Sequence, residues 1–244
     1  MTALYLANAL AVLTATWAVW VRRHSFGSRW DAPITIGVAL YGVASALDSP
    51  WASLARVSFP LTGKYYLLAV LGHLCYLAGT AAGLKSVYIR LMPDEDIGPF
   101  MKTRILPVVA IAAAVMLICF AASPKTSTLT ADYLYDVTPD NWLRVYFASF
   151  LLTFTGLLWT TLYGVFRLRE EPDSGAAVPL LFTVSTGSIG CLSFLVAILT
   201  GHPGIITALA WPVVFGATAV ASVACAVFWR RRVAQLMQAP CKSD

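Results

Sequence analysis

The chain has 244 residues, of which 59% are hydrophobic and 12% are charged, and its formal net charge is +5. Charged residues make up about a quarter of a typical soluble domain, so this composition excludes an ordinary soluble globular protein. The basic excess does not indicate nucleic-acid binding either, because the basic residues lie where a membrane protein is expected to carry them.

Seven segments of the sequence are apolar enough to cross a bilayer, which takes about 20 residues in a helix. Short polar, charged or proline-containing stretches separate them. The sequence therefore predicts an all-α polytopic membrane protein with seven transmembrane helices in one domain, residues 1–232, and a short cytosolic tail, residues 233–244. In chain order we predict helices at 3–21, 32–49, 65–90, 104–123, 141–167, 176–199 and 204–229.

Three local features refine these boundaries. The first ten residues, MTALYLANAL, lack the positively charged start of a cleavable secretory signal, so we expect the first span to remain as a helix. Before the fifth span, Thr138 and Pro139 predict an N-cap followed by a proline in the first turn. Between the second and third spans we predict a short amphipathic helix in the membrane interface, whose apolar face consists of Trp51, Leu54, Val57 and Leu61.

The basic residues predict the orientation, because loops rich in Lys and Arg stay in the cytosol. The first, third and fifth loops and the C-terminal tail hold 13 of the 17 basic residues. We therefore expect the N-terminus outside and the C-terminus in the cytosol, in agreement with an odd number of spans. The predicted location is the plasma membrane of a bacterium, which the chain crosses several times.

Small and polar residues form stripes at helical spacing along three of the spans. They indicate either close helix packing or a polar cavity among spans three, five and six. The fourth span has no such stripe, so it should lie at the periphery if the other three enclose a cavity. The stripes are Gly72, Cys75, Gly79, Ala82 and Ser86 in span three, Tyr146, Ser149, Thr153, Gly156, Thr160, Tyr163 and Arg167 in span five, and Thr183, Thr186, Gly190, Ser193, Ala197 and Thr200 in span six.

Charges and histidines inside a bilayer are functional candidates, because they are energetically expensive there. His73 lies within the third span, and Tyr76 follows on the same face. Asp48 at the end of span two, Arg144 at the start of span five and His202 in the turn GHPG are expected at a similar depth. We interpret these five residues as an outward-facing ligand pocket, in which Arg144 pairs with Asp48 or binds an acidic ligand.

Each of these residues also has a purely structural explanation. His73 can be a neutral imidazole that is hydrogen-bonded to a neighbouring helix. Asp48 and His202 can belong to helix ends and turns, and Arg144 can extend its side chain to the headgroups. The sequence leaves these alternatives open.

Several specific activities lack the residues that they need. Retinal requires a lysine in the last span, and residues 204–229 contain none. Two-histidine haem ligation fails because the other two histidines lie outside the spans, and no spacing motif supports zinc. The stretch STGSIGC is not the GxSxG nucleophile elbow, and there is no phosphate loop. We therefore predict no catalytic residue, no cofactor and no metal site, and an enzyme is the least supported class.

The layout of the chain, with spans such as ALAVLTATWAVWVRR, resembles uncharacterised actinobacterial seven-helix membrane proteins that are classed as candidate transporters. In those proteins about seven spans precede a cytosolic domain. The resemblance covers residues 1 to about 232 and implies a helical bundle in the membrane. Only 15 residues follow Trp229, so we do not expect the cytosolic domain here, and the resemblance assigns no functional residue.

Two functions fit these observations. The first is a transporter-like or ligand-sensing bundle that accepts a small polar or acidic solute from the outer side. The second is a non-catalytic interaction or scaffold module, whose stripes bind other membrane helices or a second copy of the chain. Under the second interpretation Gly79, Gly156 and Gly190 should face outward.

Overall fold

The computed structural model describes residues 2–48, 56–128, 139–168, 177–200 and 204–238. It is all-helical, with 90% of residues in helices and no strand among those described. The long helices begin and end within a few residues of the predicted spans, except that the last one continues past the predicted end at 229 to Gln238. They are α1 (Thr2–Arg22), α2 (Ala32–Leu47), α3 (Leu67–Tyr88), α4 (Leu106–Ala122), α5 (Asn141–Leu168), α6 (Ala177–Thr200) and α7 (Gly204–Gln238).

Short helical segments occupy much of the described connections. A 3-10 helix, Arg23–Gly27, follows α1, and the helical turn Phe59–Thr62 precedes α3. The helix Asp94–Phe100 and the π-helical turn Met101–Ile105 run directly into α4. Most of the predicted interfacial helix, residues 49–55, lies outside the described residues.

Six of the described helical stretches are long and apolar enough to cross a membrane. The exception among the long helices is α2, which has 16 residues and therefore spans about 24 Å at 1.5 Å per residue. The hydrocarbon core of a bilayer is about 30 Å thick. The chain is thus a multi-pass membrane protein by the length and composition of its helices.

The helices form a ring with one helix outside it. Each helix of the ring packs against the next in the order α1, α2, α3, α5, α6 and α7, and α7 packs against α1. As predicted, α4 lies at the periphery, where it packs against α5 and α3. It buries Ala112, Met116 and Phe120, whereas Ile111 and Ile118 on its opposite face are exposed. The most apolar helix therefore contributes little to the interior.

The stripe of α3 is a packing surface against α2. A Cβ atom added to Gly79 would lie 3.1 Å from the carbonyl oxygen of Gly37, and one added to Gly37 would lie 2.9 Å from that of Gly79. The two backbones can approach this closely only because neither residue has a side chain. Close helix packing is therefore the correct interpretation of this stripe.

The stripes of α5 and α6 have different roles. In α6, Gly190 is buried against Ala210 and Val213 of α7, so this stripe also serves packing. In α5, by contrast, Gly156 and Tyr163 are exposed. The prediction that the α5 stripe lines a polar interior is wrong for these positions, because the buried face of α5 is apolar and aromatic, with Leu143, Phe147, Phe150, Leu151, Phe154, Leu157 and Leu158.

Polar contacts hold together the end of the bundle at which α3 and α5 begin. The side chain of Asp140 accepts hydrogen bonds from Leu143 N (2.8 Å) and from the hydroxyl of Ser123 (2.6 Å), and Lys64 Nζ donates to the Ser123 carbonyl (2.9 Å). Asp140 is thus the N-cap of α5. The predicted cap, Thr138, lies outside the described residues, and Pro139 precedes the helix.

Candidate functional site

The imidazole of His73 lies at the centre of the strongest polar cluster inside the bundle. His73 is the seventh residue of α3, about 9 Å along the helix, and is only 1% exposed. Its Nε2 lies 3.4 Å from Oδ2 of Asp48, and its Nδ1 shares a hydrogen bond of 2.6 Å with the hydroxyl of Tyr146. One side chain of α3 therefore joins the end of α2 to the first turns of α5.

Aromatic rings enclose this imidazole. The ring of Phe150 stacks on it at 4.3 Å between centroids, and the indole of Trp211 is nearly parallel to it at 5.6 Å. Phe147 contacts the imidazole edge-on. These rings, from α5 and α7, separate the imidazole from solvent. We call Asp48, His73, Tyr146 and Trp211 the Asp48 cluster.

Asp48 is the C-cap of α2, and its backbone N–H donates to the carbonyl of Ala44. Gly72 of α3 allows it to approach, because a Cβ atom there would lie 3.3 Å from the Asp48 Cβ. The Asp48 side chain is 0% exposed. The C-terminus of a helix carries a partial negative charge, so this is an unfavourable position for a carboxylate.

The Asp48 cluster is not fully satisfied. Both carboxylate oxygens of Asp48, His73 Nε2 and Trp211 Nε1 are buried without a hydrogen-bond partner among the described residues. The 3.4 Å separation between His73 Nε2 and Asp48 Oδ2 is an ion-pair distance and is long for an N–H···O hydrogen bond. Buried polar groups are almost always paired, so several unpaired atoms in one place mark this cluster as the candidate functional site.

A second layer of hydrogen bonds supports the cluster. The hydroxyl of Tyr76, one turn along α3 from His73, shares a hydrogen bond of 2.9 Å with the hydroxyl of Ser45. Asn8 Nδ2 donates to the Ser45 carbonyl at 2.7 Å. These bonds connect α1, α2 and α3, so a change at the Asp48 cluster would be transmitted to three helices.

The structure brings together three of the five predicted site residues. His73 and Asp48 are in contact, and Tyr76 lies in the supporting layer. Arg144 is exposed, and the ion pairs of the described residues do not include one between Arg144 and Asp48. The predicted pair does not form because Asp48 is sealed inside the ring while Arg144 lies on the outer face of α5. His202 is outside the described residues.

Sequence reasoning missed other members of the site. The sequence predicts Tyr146 only as part of the span-five stripe, and none of the predictions includes Trp211. Asn8 and Ser45 carried the same signal as His73, since a polar side chain inside an apolar span needs a partner. Their partners could not be identified, because the sequence of one span does not show which neighbouring helix its polar side chains face.

A cavity of about 90 Å³ begins about two turns along α3 from His73 and extends between α2, α3, α5, α6 and α7 toward the opposite end of the bundle. Tyr41 connects the two features, because it contacts the ring of Tyr76 and shares a hydrogen bond of 2.8 Å with Thr80. The wall contains no charged residue. Its polar members are Tyr41, Thr80, Thr161, Thr183 and Thr218, and its glycines are Gly37, Gly79, Gly83 and Gly187.

The described residues contain no group of three or more His, Cys, Asp or Glu side chains placed to hold a metal ion. Comparisons with protein-family models, with curated proteins and with solved structures found no match. The function therefore has to be argued from the geometry of the chain itself.

Proposed function

We propose that the chain crosses the membrane seven times, with its N-terminus outside and its C-terminus in the cytosol of a bacterium. Two observations support a crossing by α2. It lies between α1 and α3 in the ring, and its two ends are occupied by Asp31 and Asp48. The shortfall in its length is small enough for flanking residues and local thinning of the bilayer to accommodate. The distribution of basic residues supports the orientation.

Within this topology, we propose that the protein is a transporter-like bundle in which the pair Asp48–His73 binds and releases a proton. The observation that carries this proposal is the buried carboxylate of Asp48, whose oxygens accept no hydrogen bond from the described residues. A carboxylate and an imidazole at this distance can hold a proton between them. Ionisable pairs inside membrane bundles are the usual parts of proton pathways.

The cavity, which begins about two turns of α3 beyond His73, is the proposed solute site. Its walls combine apolar side chains with hydroxyl groups and carry no charge, which suits a small uncharged polar solute. An acidic solute was expected from Arg144, but that residue lies outside the site. Between the proton site and the solute site lie Tyr76, one turn of α3 from His73, and Tyr41, whose ring contacts that of Tyr76 and whose hydroxyl shares a hydrogen bond with Thr80 in the cavity wall.

Proton-coupled uptake in proteoliposomes tests this function. Vesicles that hold the purified protein and a pH-sensitive dye are mixed with a panel of small polyols, amides and alcohols. We expect at least one solute to move protons across the membrane in the wild type and in Asp96→Asn, whose side chain is exposed. The Asp48→Asn variant should not move protons. Equal proton movement in Asp48→Asn, or solute uptake without proton movement, would contradict the proposal.

One observation favours the alternative function, a membrane interaction module. The outward face of α5 carries Gly156, and a Cβ atom added there meets nothing within 4 Å. Small residues on an exposed helix face allow another helix to pack closely. The other two diagnostic glycines, Gly79 and Gly190, face neighbouring helices inside the bundle instead.

The oligomeric state in mild detergent tests this alternative. If α5 binds a second copy of the chain, native mass spectrometry should show a dimer that is lost in Gly156→Leu. The control is Gly98→Leu, because Gly98 is also exposed and has open space at its Cβ position. If the wild type and both variants are monomers, α5 does not bind a second copy of the chain, and this form of the alternative function is excluded.

A further inference from the structure

At the end of the bundle where α1 and α3 finish, three arginine side chains surround one carboxylate. Oδ1 of Asp31 lies 3.5 Å from Arg90 Nη2, 3.6 Å from Arg232 Nη1 and 4.0 Å from Arg22 Nη2. The arginines follow or belong to α1, α3 and α7, and Asp31 is the N-cap of α2. We call Arg22, Asp31, Arg90 and Arg232 the Asp31 cluster.

The three arginines are held in different ways. Arg22 is fixed, since its Nε donates to Thr35 (2.9 Å), its Nη1 donates to the Cys225 carbonyl (3.3 Å), and its side chain is only 6% exposed. The side chains of Arg90 and Arg232 are 38% and 56% exposed. Arg22 is therefore a structural part of the cluster, whereas Arg90 and Arg232 are accessible from outside.

The cluster has more positive than negative charge. Three guanidinium groups face one carboxylate, so two positive charges have no acidic partner among the described residues. Arg29 does not change this balance, because it pairs with Asp94 at 2.6 Å. Burial lowers the pKa of the Arg90 guanidinium, Asp31 raises it, and Arg232 lowers it further. The accessible arginines thus repel each other, and the described part of the chain provides them with no carboxylate besides Asp31.

Aromatic residues place this cluster at the level of lipid headgroups. Arg22 lies over the ring of Trp229 at 4.8 Å, Arg230 lies over Trp17 at 5.5 Å, and Trp30 is exposed at the same end. Tryptophan is enriched where the hydrocarbon core meets the headgroups. Guanidinium groups bind phosphate through paired N–H donors, which makes arginine the preferred phosphate ligand.

We propose that Arg90 and Arg232, held in place by Asp31 and Arg22, bind a phosphate group at this end of the bundle. A bound phosphate would supply the missing negative charge and would connect the end of α3 to α7 through the start of α2. The site does not depend on the proposed transport function. The phosphate can belong to an anionic phospholipid or can be free in solution. The experiment below gives a different result for each source.

The experiment is native mass spectrometry of the full chain released from nanodiscs of phosphatidylcholine with added phosphatidylglycerol. The test variant is Arg90→Gln/Arg232→Gln. The matched control is Arg230→Gln/Arg231→Gln, which removes the same charge from exposed residues whose guanidinium groups lie over Trp17 and Phe228 rather than at Asp31. We expect the affinity for phosphatidylglycerol to fall about tenfold or more in the test variant and little in the control.

A second arm separates the two sources of phosphate. Thermal unfolding of the detergent-solubilised protein is followed with and without inorganic phosphate, with chloride at equal ionic strength as the control. Stabilisation of the wild type but not the test variant supports a phosphate site that takes free phosphate. Selective loss of phosphatidylglycerol without this stabilisation supports a lipid site. Equal behaviour of the two double variants in both arms would overturn the proposal.

If Arg90→Gln/Arg232→Gln does not fold, the single variant Arg232→Gln replaces it, with Arg231→Gln as its control. Arg232 is the more exposed of the two accessible arginines, so its replacement disturbs the packing least. The expected result is a smaller but selective loss of phosphatidylglycerol binding or of phosphate stabilisation. Equal binding and equal stabilisation in the two single variants would again overturn the site.

Discussion

Asp31 and Asp48 occupy the two ends of the same helix, α2, and their surroundings are opposite in charge. Asp31 is the N-cap, where the helix dipole favours a negative charge, and three arginines surround it. Asp48 is the C-cap, where the dipole opposes a negative charge, and its ion-pair partner among the described residues is His73. The comparison shows that the same residue type has favourable charged neighbours at one end of a helix and an unfavourable dipole at the other, and the proposed proton site is at the unfavourable end.

The largest expected effect is at Asp31. Asp31→Asn leaves three guanidinium groups without a carboxylate, one of them deeply buried. Loss of one partner from a buried ion pair costs about 3–5 kcal/mol, and the partial exposure of Arg90 and Arg232 places this variant at about 3 kcal/mol. Unfolding in a titration with sodium dodecyl sulfate measures it. A free energy of unfolding within error of that of exposed Asp96→Asn would contradict the structural role of Asp31.

The same substitution at Asp48 should have the opposite result. Asp48→Asn replaces a fully buried carboxylate at the negative end of the α2 dipole, which has no hydrogen-bond donor among the described residues, by a neutral group of the same size. Because His73 can stay neutral beside the amide and a buried charge without a donor is costly, we expect equal or greater stability than in the wild type. The contrast between the two aspartates is the most direct comparison of their roles. If Asp48→Asn destabilised the protein as strongly as Asp31→Asn, the Asp48 cluster would be a structural ion pair.

Gly79 tests whether the two clusters depend on the close approach of α2 and α3. A Cβ atom in Gly79→Ala would lie 3.1 Å from the carbonyl oxygen of Gly37, so the helices must move apart. We expect a loss of about 1–3 kcal/mol in the free energy of unfolding. The control Gly156→Ala has open space at its Cβ atom and should not lower stability. Equal stability of the two variants would show that the close approach is not required.

Tyr146→Phe should have a smaller effect, which is confined to the Asp48 cluster. The substitution removes the hydroxyl that shares the 2.6 Å hydrogen bond with His73 Nδ1. We expect a loss of about 1–2 kcal/mol in stability and a change in the tautomer of the imidazole. Nitrogen NMR of the histidines checks the second effect. An unchanged His73 spectrum would mean that Tyr146 does not set the tautomer.

Arg144→Gln should have the smallest effect. Its side chain is exposed and lies outside the Asp48 cluster, so we expect a change in stability within about 0.5 kcal/mol and no change in proton movement. Unfolding titrations and the proteoliposome assay measure the two quantities. A loss of proton movement comparable to that in Asp48→Asn would restore Arg144 to the site.

The sequence predicted features that depend on one helix alone. It did not predict which face of each helix is turned toward the interior of the bundle. The helix positions, the peripheral place of α4 and the need of His73 for polar partners follow from local apolarity and from the cost of a polar group in lipid. The α5 stripe and Arg144 were misplaced, because small residues mark close packing and exposed faces alike. Trp211 and Tyr146 could be assigned to the site only once α5 and α7 were placed around α3.

The central claim is that His73 and Asp48 exchange a proton. Nitrogen NMR of protein labelled at its three histidines, in nanodiscs, tests it most directly. His73→Gln assigns the His73 signal, and the exposed His24 is the internal reference. The account predicts that the protonation and tautomer signals of His73 change in Asp48→Asn but not in Asp96→Asn. A His73 signal that is the same in Asp48→Asn as in the wild type would contradict the claim and leave His73 as a packing residue.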